Sequence, residues 1–202
     1  AVGLMSLFLV DVANLFYISL LGQAELAAAI GYAGTVQFFM ISVSIGLSIA
    51  ATATVSRAVG AGDAAGARRL AASSMLILVA VLGLVAALMW LNRRAALMLI
   101  GATGETLEIG AGFLAIVLPS MPFLGVGMVS GGLLRSVGDA RRAMFVTLIA
   151  GAVGAALDPL FIFGFGLGVD GAAIVSVLAR MIIAGVGLWG AVRVHDLIGR
   201  LD

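Results

Sequence analysis

The chain has 202 residues, of which 63% are hydrophobic and only 10% charged, and its mean hydropathy is +1.25. A water-soluble domain is about 45–50% apolar and about 25% charged, so for much of this chain the solvent is lipid. The formal net charge of +1 says little about partners, but no basic run is long enough for nucleic acid; the absence of cysteine excludes disulfides, thiol chemistry and thiolate metal sites.

Six stretches meet the requirement of about 20 mostly apolar residues for a membrane span. They are residues 1–21, 31–55, 70–91, 107–134, 143–165 and 171–194. The first carries an acid and reads as a span, with no cleavable signal peptide evident. The fourth is long enough to tilt or kink. The polar patch at 93–108 predicts a short interfacial helix. The fold class is therefore all-α: a polytopic membrane protein whose residues 1–202 form one six-helix lobe. The 28 glycines let membrane helices approach closely where no hydrophobic drive holds them together.

Arginine placement sets the orientation. Arg57, Arg68 and Arg69 follow the second span, Arg135, Arg141 and Arg142 follow the fourth, and Arg193 and Arg200 lie in the tail. With six spans these fall on one side, which predicts cytoplasmic termini. The other side holds Arg93 and Arg94 near Glu105 and Glu108. The two basic loops, Arg57-Ala-Val-Gly60 through Asp63 to Arg68-Arg69 and Arg135-Ser-Val-Gly138-Asp139 to Arg141-Arg142, resemble each other, which hints at a three-helix repeat. The first is glycine-rich but lacks the Gly-Lys-Ser/Thr ending of a phosphate-binding loop, and no strand precedes it.

Asp11 and Asp158 carry the most chemical information, because each lies inside an apolar span. A charged side chain at the bilayer centre costs about 2.5–3.5 kcal/mol on insertion scales and faces the bundle interior or a wet cavity. Such a carboxyl can bind and release a proton, or hold sodium beside other oxygens. The alternative is a structural acid paired with Arg180, the one arginine deep within a span. Arg180 itself pairs with an acid, lines a cavity or snorkels. Pro159 directly follows Asp158 and frees the carbonyl of Ala155, either as part of a cation site or as an ordinary kink.

Asn14 lies three residues after Asp11, on the same helix face. It bonds the acid, a substrate or a neighbouring helix. Ser176 faces the fifth span as a packing hydroxyl or a site member. Pro119 and Pro122 free the carbonyls of Ala115 and Leu118 and bend the fourth span. Met40, Met121, Met128, Phe38, Phe39, Phe123, Phe161 and Phe163 serve either as adaptable surface for organic cations or as packing. His195, the sole histidine, reads as a surface group, so neither a histidine metal cluster nor nucleophilic catalysis has its parts, and the chain is not expected to be an enzyme.

These residues together resemble a family. Residues 10–28, with Asp11, Asn14 and Gly22, are similar to the first helix and following loop of the multidrug and toxic compound extrusion (MATE) family. Residues 55–68 resemble the loop after its helix two, and 134–141 the loop after helix four. Residues 157–173, from Leu157-Asp158-Pro159 to Gly171, resemble its fifth helix and the turn into the sixth. The order matches along nearly the whole chain.

The resemblance implies a fold of two six-helix lobes around a cavity, exporting organic, often cationic, compounds against inward flow of protons or sodium. It implies that Asp11 and Asp158 couple transport, as metal ligands if sodium is the ion, with Ser176 as a nearby hydroxyl; Asn14 and Pro159 are candidates by their positions beside the two acids. Some members have an asparagine one turn before the helix-five acid, where this chain has Gly154. No cofactor is implied beyond the coupling ion.

The family has about twelve helices and this chain has six. The expectation is an amino-terminal lobe in a bacterial inner membrane, partnered by small organic cations, the lipid bilayer and a second six-helix lobe. That lobe is a missing carboxy-terminal half, a second copy or a separate chain; a fragment of a longer polypeptide is the first expectation. Alternatives are a lipid-linked sugar flippase of the same superfamily and a non-transporting assembly subunit.

Overall fold

A computed structural model describes residues 24–194. The first expected span, with Asp11 and Asn14, and the tail with His195 lie outside the described residues. Within them the helices are α1 (Ala24–Gly60), α2 (Ala64–Leu91), α3 (Arg93–Leu99), α4 (Gly104–Val117), α5 (Met121–Ser136), α6 (Ala140–Pro159) and α7 (Gly168–Trp189). A 3₁₀ turn at Leu118–Ser120 joins α4 to α5, and π-helical turns at Leu160–Gly164 and Gly190–Val194 extend α6 and α7.

Five of these rods are long and apolar enough to cross a membrane: Glu25–Gly60, Ala64–Leu91, Gly104–Ser136, Ala140–Gly164 and Gly168–Val192. At 1.5 Å per residue they run about 37–54 Å, longer than a hydrocarbon core of about 30 Å. This corrects the edges read from hydropathy. The span expected at 31–55 runs Ala24–Gly60, because a helix continues through polar residues as long as its backbone bonds are made. The short interfacial helix expected within the patch 93–108 is α3, which ends at Leu99, and Glu105 and Glu108 already belong to α4. α3 lies against α4, and an exposed Arg94–Glu108 ion pair of 2.6 Å bridges the two.

The two arginine-rich loops share one geometry. In the first, the Gly62 N–H donates to Val59 and the Asp63 N–H to Ala58; in the second, Gly138 donates to Arg135 and Asp139 to Leu134. Both pairs make the crossed bonds that close a helix C-terminus around a left-handed glycine, and φ is 76° at Gly62 and 87° at Gly138. The following aspartate then caps the next helix: Asp63 accepts from the Gly66 N–H and Asp139 from the Arg142 N–H. Such a cap is worth about 1 kcal/mol. The loop resemblance seen in sequence is thus a resemblance of structure.

The Gly104–Ser136 rod is the centre of the bundle. Its apolar window is 61% buried, against 22% for Ala64–Leu91. Here α5 packs against α1, α2 and α7. It does so through glycine: a Cβ at Gly125 would strike Leu82, one at Gly127 would strike Ile183, and one at Gly132 would strike Thr52. Small residues that bring backbones together are how helices associate in lipid. Large apolar side chains such as Phe38, Ile49, Leu84 and Trp189 point outward.

Candidate functional site

Asp158 is wholly buried near the end of α6 remote from its arginine-rich loop. It continues a buried stripe through Ala150, Gly151 and Gly154, the spacing of one helix face. About 27 Å of helix separates it from the loop at Ala140. Pro159 ends the regular α-helix, and the chain goes on as a π-helical turn in which the Phe165 N–H donates to Leu160 at 2.9 Å. Such turns absorb an irregularity without ending the helix. Ala155, whose carbonyl Pro159 frees, is exposed.

The π turn is pressed onto α7. A Cβ at Gly171 would lie 2.7 Å from the Phe161 carbonyl oxygen, so only glycine fits where the two backbones meet. This contact fixes the segment just past Asp158 against the start of α7. Ser176 is half-buried on α7, one turn before Arg180 and therefore on the same face. The structure brings the helices of Asp158 and Ser176 side by side.

Arg180 is 8% exposed and neither lines an open surface nor snorkels. Its guanidinium donates to oxygens on two other spans. Nη1 donates to the Val117 carbonyl at 3.1 Å and to Ser120 Oγ at 2.8 Å, and Nη2 donates to Gln37 Oε1 at 2.6 Å. Neither Gln37 nor Ser120 stood out in the sequence. Their signal was present: an amide side chain inside a 36-residue apolar helix, and a hydroxyl between Pro119 and Pro122.

The expected proline break is built in full. Pro119 frees the Ala115 carbonyl, which accepts from Trp90 Nε1 at 3.0 Å. Pro122 frees the Leu118 carbonyl, which accepts from the Met121 N–H in the 3₁₀ turn. That last bond diverts the N–H that an unbroken helix would give to Val117, and the Val117 carbonyl is taken up by Ser120 Oγ at 2.6 Å and by Arg180.

The methionines and aromatics do not gather at one place. Met40 and Met121 are fully buried core, while Phe38, Phe39, Phe123 and Phe163 are exposed. Phe161 and Phe165 meet edge to face at 5.3 Å. A cleft of about 350 Å³ opens elsewhere, between α1 and α5 toward the arginine-rich end, lined by Ser48, Ile49, Thr52, Ala53 and Arg135. Among the described residues no three histidine, cysteine or acidic side chains cluster as metal ligands.

The MatE family profile matches residues 1–160, a stretch that includes Asp158 and both arginine-rich loops. The chain belongs to the MatE family. It is 27% identical over 203 aligned positions to an FAD transporter of Shewanella oneidensis, covering 98% of this chain and 45% of that protein. It is 28% identical over 188 positions to the multidrug export protein MepA of Staphylococcus aureus, covering 91% of this chain and 41% of that one.

Among solved structures, it resembles a MATE transporter in the bent conformation with a TM-score of 0.91 at 26% identity, over 96% of this chain and 43% of the other. An outward-facing MATE family transporter matches at 0.90 and an inward-facing one at 0.85. A lobe of this shape therefore occurs in all three of those states. The chain spans less than half the length of the family members it matches.

Proposed function

We propose that this chain is the amino-terminal lobe of a cation-coupled exporter of small organic cations, and not an enzyme, and that Asp158 is its coupling acid. The observation that carries the reading is a wholly buried carboxyl in an apolar span of a MatE family chain. A bare carboxylate in a low-dielectric site attracts a cationic substrate; a proton or sodium ion on it removes that attraction. Competition for one charge is then the coupling. Asp11 shares the ion, and Asn14, Ser176 and Pro159 shape the site. Sodium would use Asp11 and Asp158 as ligands with nearby carbonyl or hydroxyl oxygens; no other cofactor is needed.

The second lobe is the remainder of a longer polypeptide, in keeping with relatives more than twice as long. Arg57, Arg68, Arg69, Arg135, Arg141 and Arg142 at one end of the described bundle, against Arg93 and Arg94 at the other, support cytoplasmic termini, and the membrane we assign is a bacterial inner membrane. The test is equilibrium binding of a fluorescent organic cation to the purified full-length protein. Binding should weaken as protons, or sodium, are added, and this competition should vanish in Asp158→Asn. Binding indifferent to both ions would reject the reading.

A second reading has one observation behind it. The relative from Shewanella oneidensis is an FAD transporter, and FAD carries phosphates. Displacement of the fluorescent cation by FAD but not by other organic cations would favour an anionic nucleotide as cargo.

A further inference from the structure

We propose that Arg180 is a positioning residue: its guanidinium sets the angle of the α4–α5 break and so orients the α7 face that carries Ser176. The part of this that concerns transport rests on the function proposed above.

The break is a liability in lipid, because backbone groups there find no water. Three carbonyls are involved. Those of Ala115 and Leu118 are satisfied by Trp90 and by the 3₁₀ turn. The Val117 carbonyl is served by side chains, and Arg180 closes the set. Ser120 Oγ donates to Val117 and accepts from Arg180 Nη1, which itself donates to Val117. Carbonyl, hydroxyl and guanidinium thus form a closed triangle at one fixed distance from α7. The other arm of the fork, Nη2, reaches Gln37 on α1.

One planar group therefore ties three spans together, and Ser120 is the midpoint of the Gly104–Ser136 rod, where a small change of bend angle moves the ends most. Charge-assisted bonds of this kind are the strong ones. An ammonium at the same place is a point charge without the fork, so lysine cannot hold Val117, Ser120 and Gln37 in the same arrangement. Ser176 lies one turn from Arg180 on α7, so a rotation of α7 that followed loss of the clamp would move Ser176 relative to α6 and Asp158.

These 202 residues contain no cysteine, so once any cysteine in the rest of the longer polypeptide is replaced by serine, thiols introduced as Glu105→Cys and Arg135→Cys are specific attachment points on either arm of the break. Electron-spin distance measurement between labels at these positions reads the bend directly in the purified full-length protein. In Arg180→Gln the distance distribution should shift or broaden relative to the wild type, and Arg180→Lys should fall between the two. Gln37→Leu and Ser120→Ala each remove one arm of the clamp and should reproduce part of the shift, which keeps the test open if Arg180→Gln does not fold.

In proteoliposomes, gradient-driven uptake of ethidium should fall about tenfold in maximum rate, the scale of one lost charge-assisted hydrogen bond, while its half-saturating concentration stays within about twofold. Arg180→Lys should restore part of the rate. A purely structural arginine would lower folded yield and leave distance and rate per folded molecule unchanged, and that result would overturn the proposal. A shifted distance with wild-type uptake would overturn its transport half. If the wild type moves no ethidium but the distance still shifts, the exporter reading fails and the assignment of Arg180 to the break stands.

Discussion

Gly127→Ala is the sharpest test of how the bundle is packed. A methyl group there would collide with Ile183 of α7, lying 3.1 Å from its Cβ and 3.2 Å from its carbonyl carbon. Isoleucine is branched at Cβ and nearly fixed in one rotamer in a helix, so it cannot turn away, and it is 4% exposed with no free space around it. The helices must separate, which for an overpacked core costs about 1–3 kcal/mol. For a chain of this size each kcal/mol lowers the melting temperature by about 2–4 °C, so the expected fall is roughly 2–12 °C.

The assay is thermal unfolding in detergent followed by size-exclusion fluorescence. Gly185 on α7 has nothing within 4 Å of a Cβ, and Gly185→Ala should be neutral or slightly stabilising. Ile183→Ala removes Cγ2, the nearest obstructing atom, while its Cβ and carbonyl carbon stay, so the double variant Gly127→Ala with Ile183→Ala should be more stable than the sum of the two singles, with a coupling of about 1 kcal/mol. An unchanged melting temperature in Gly127→Ala, or strict additivity in the double variant, would refute close α5–α7 contact at this position.

Three further outcomes follow from the same structure and can be read in the same assay. Asp63→Ala and Asp139→Ala should each cost about 1 kcal/mol as lost helix caps, and similar losses would bear on the likeness of the two loops; a large difference would speak against it. Trp90→Phe should cost about 1–2 kcal/mol, because the Ala115 carbonyl freed by Pro119 loses its donor, whereas a silent substitution would mean the carbonyl has another partner. Arg94→Gln breaks an ion pair whose side chains are 59% and 57% exposed, so it should change stability by less than about 0.5 kcal/mol; a larger loss would mean α3 is more than a surface anchor.

Much of the architecture could be read from hydropathy, since a span of about 20 apolar residues has few other uses. The five described rods fall where five of the six spans were expected, and a 3₁₀ turn at Leu118–Ser120 interrupts the long fourth span at its prolines. Edges were less legible. Residues 24–30, apolar but for Glu25, and 56–60, with Ser56 and Arg57, extend the helix past the edges placed at those polar residues, because helix bonds continue through them. The carbonyls freed by the prolines could be named from sequence because that effect is local. Their new partners could not, because Trp90 lies 25 residues from Ala115 and only packing brings them together. Arg180 was open for the same reason: Gln37 is 143 residues away. Asp158 was found by its cost in lipid, and its complete burial accords with that argument.

Uptake of a fluorescent organic cation into proteoliposomes holding the full-length protein, under imposed proton and sodium gradients, tests the central claim most directly. The wild type should concentrate the cation under one of the two gradients, and Asp158→Asn should abolish that gradient-driven uptake while leaving a folded protein. Equal uptake by the wild type and Asp158→Asn would contradict the assignment of Asp158 as the coupling acid.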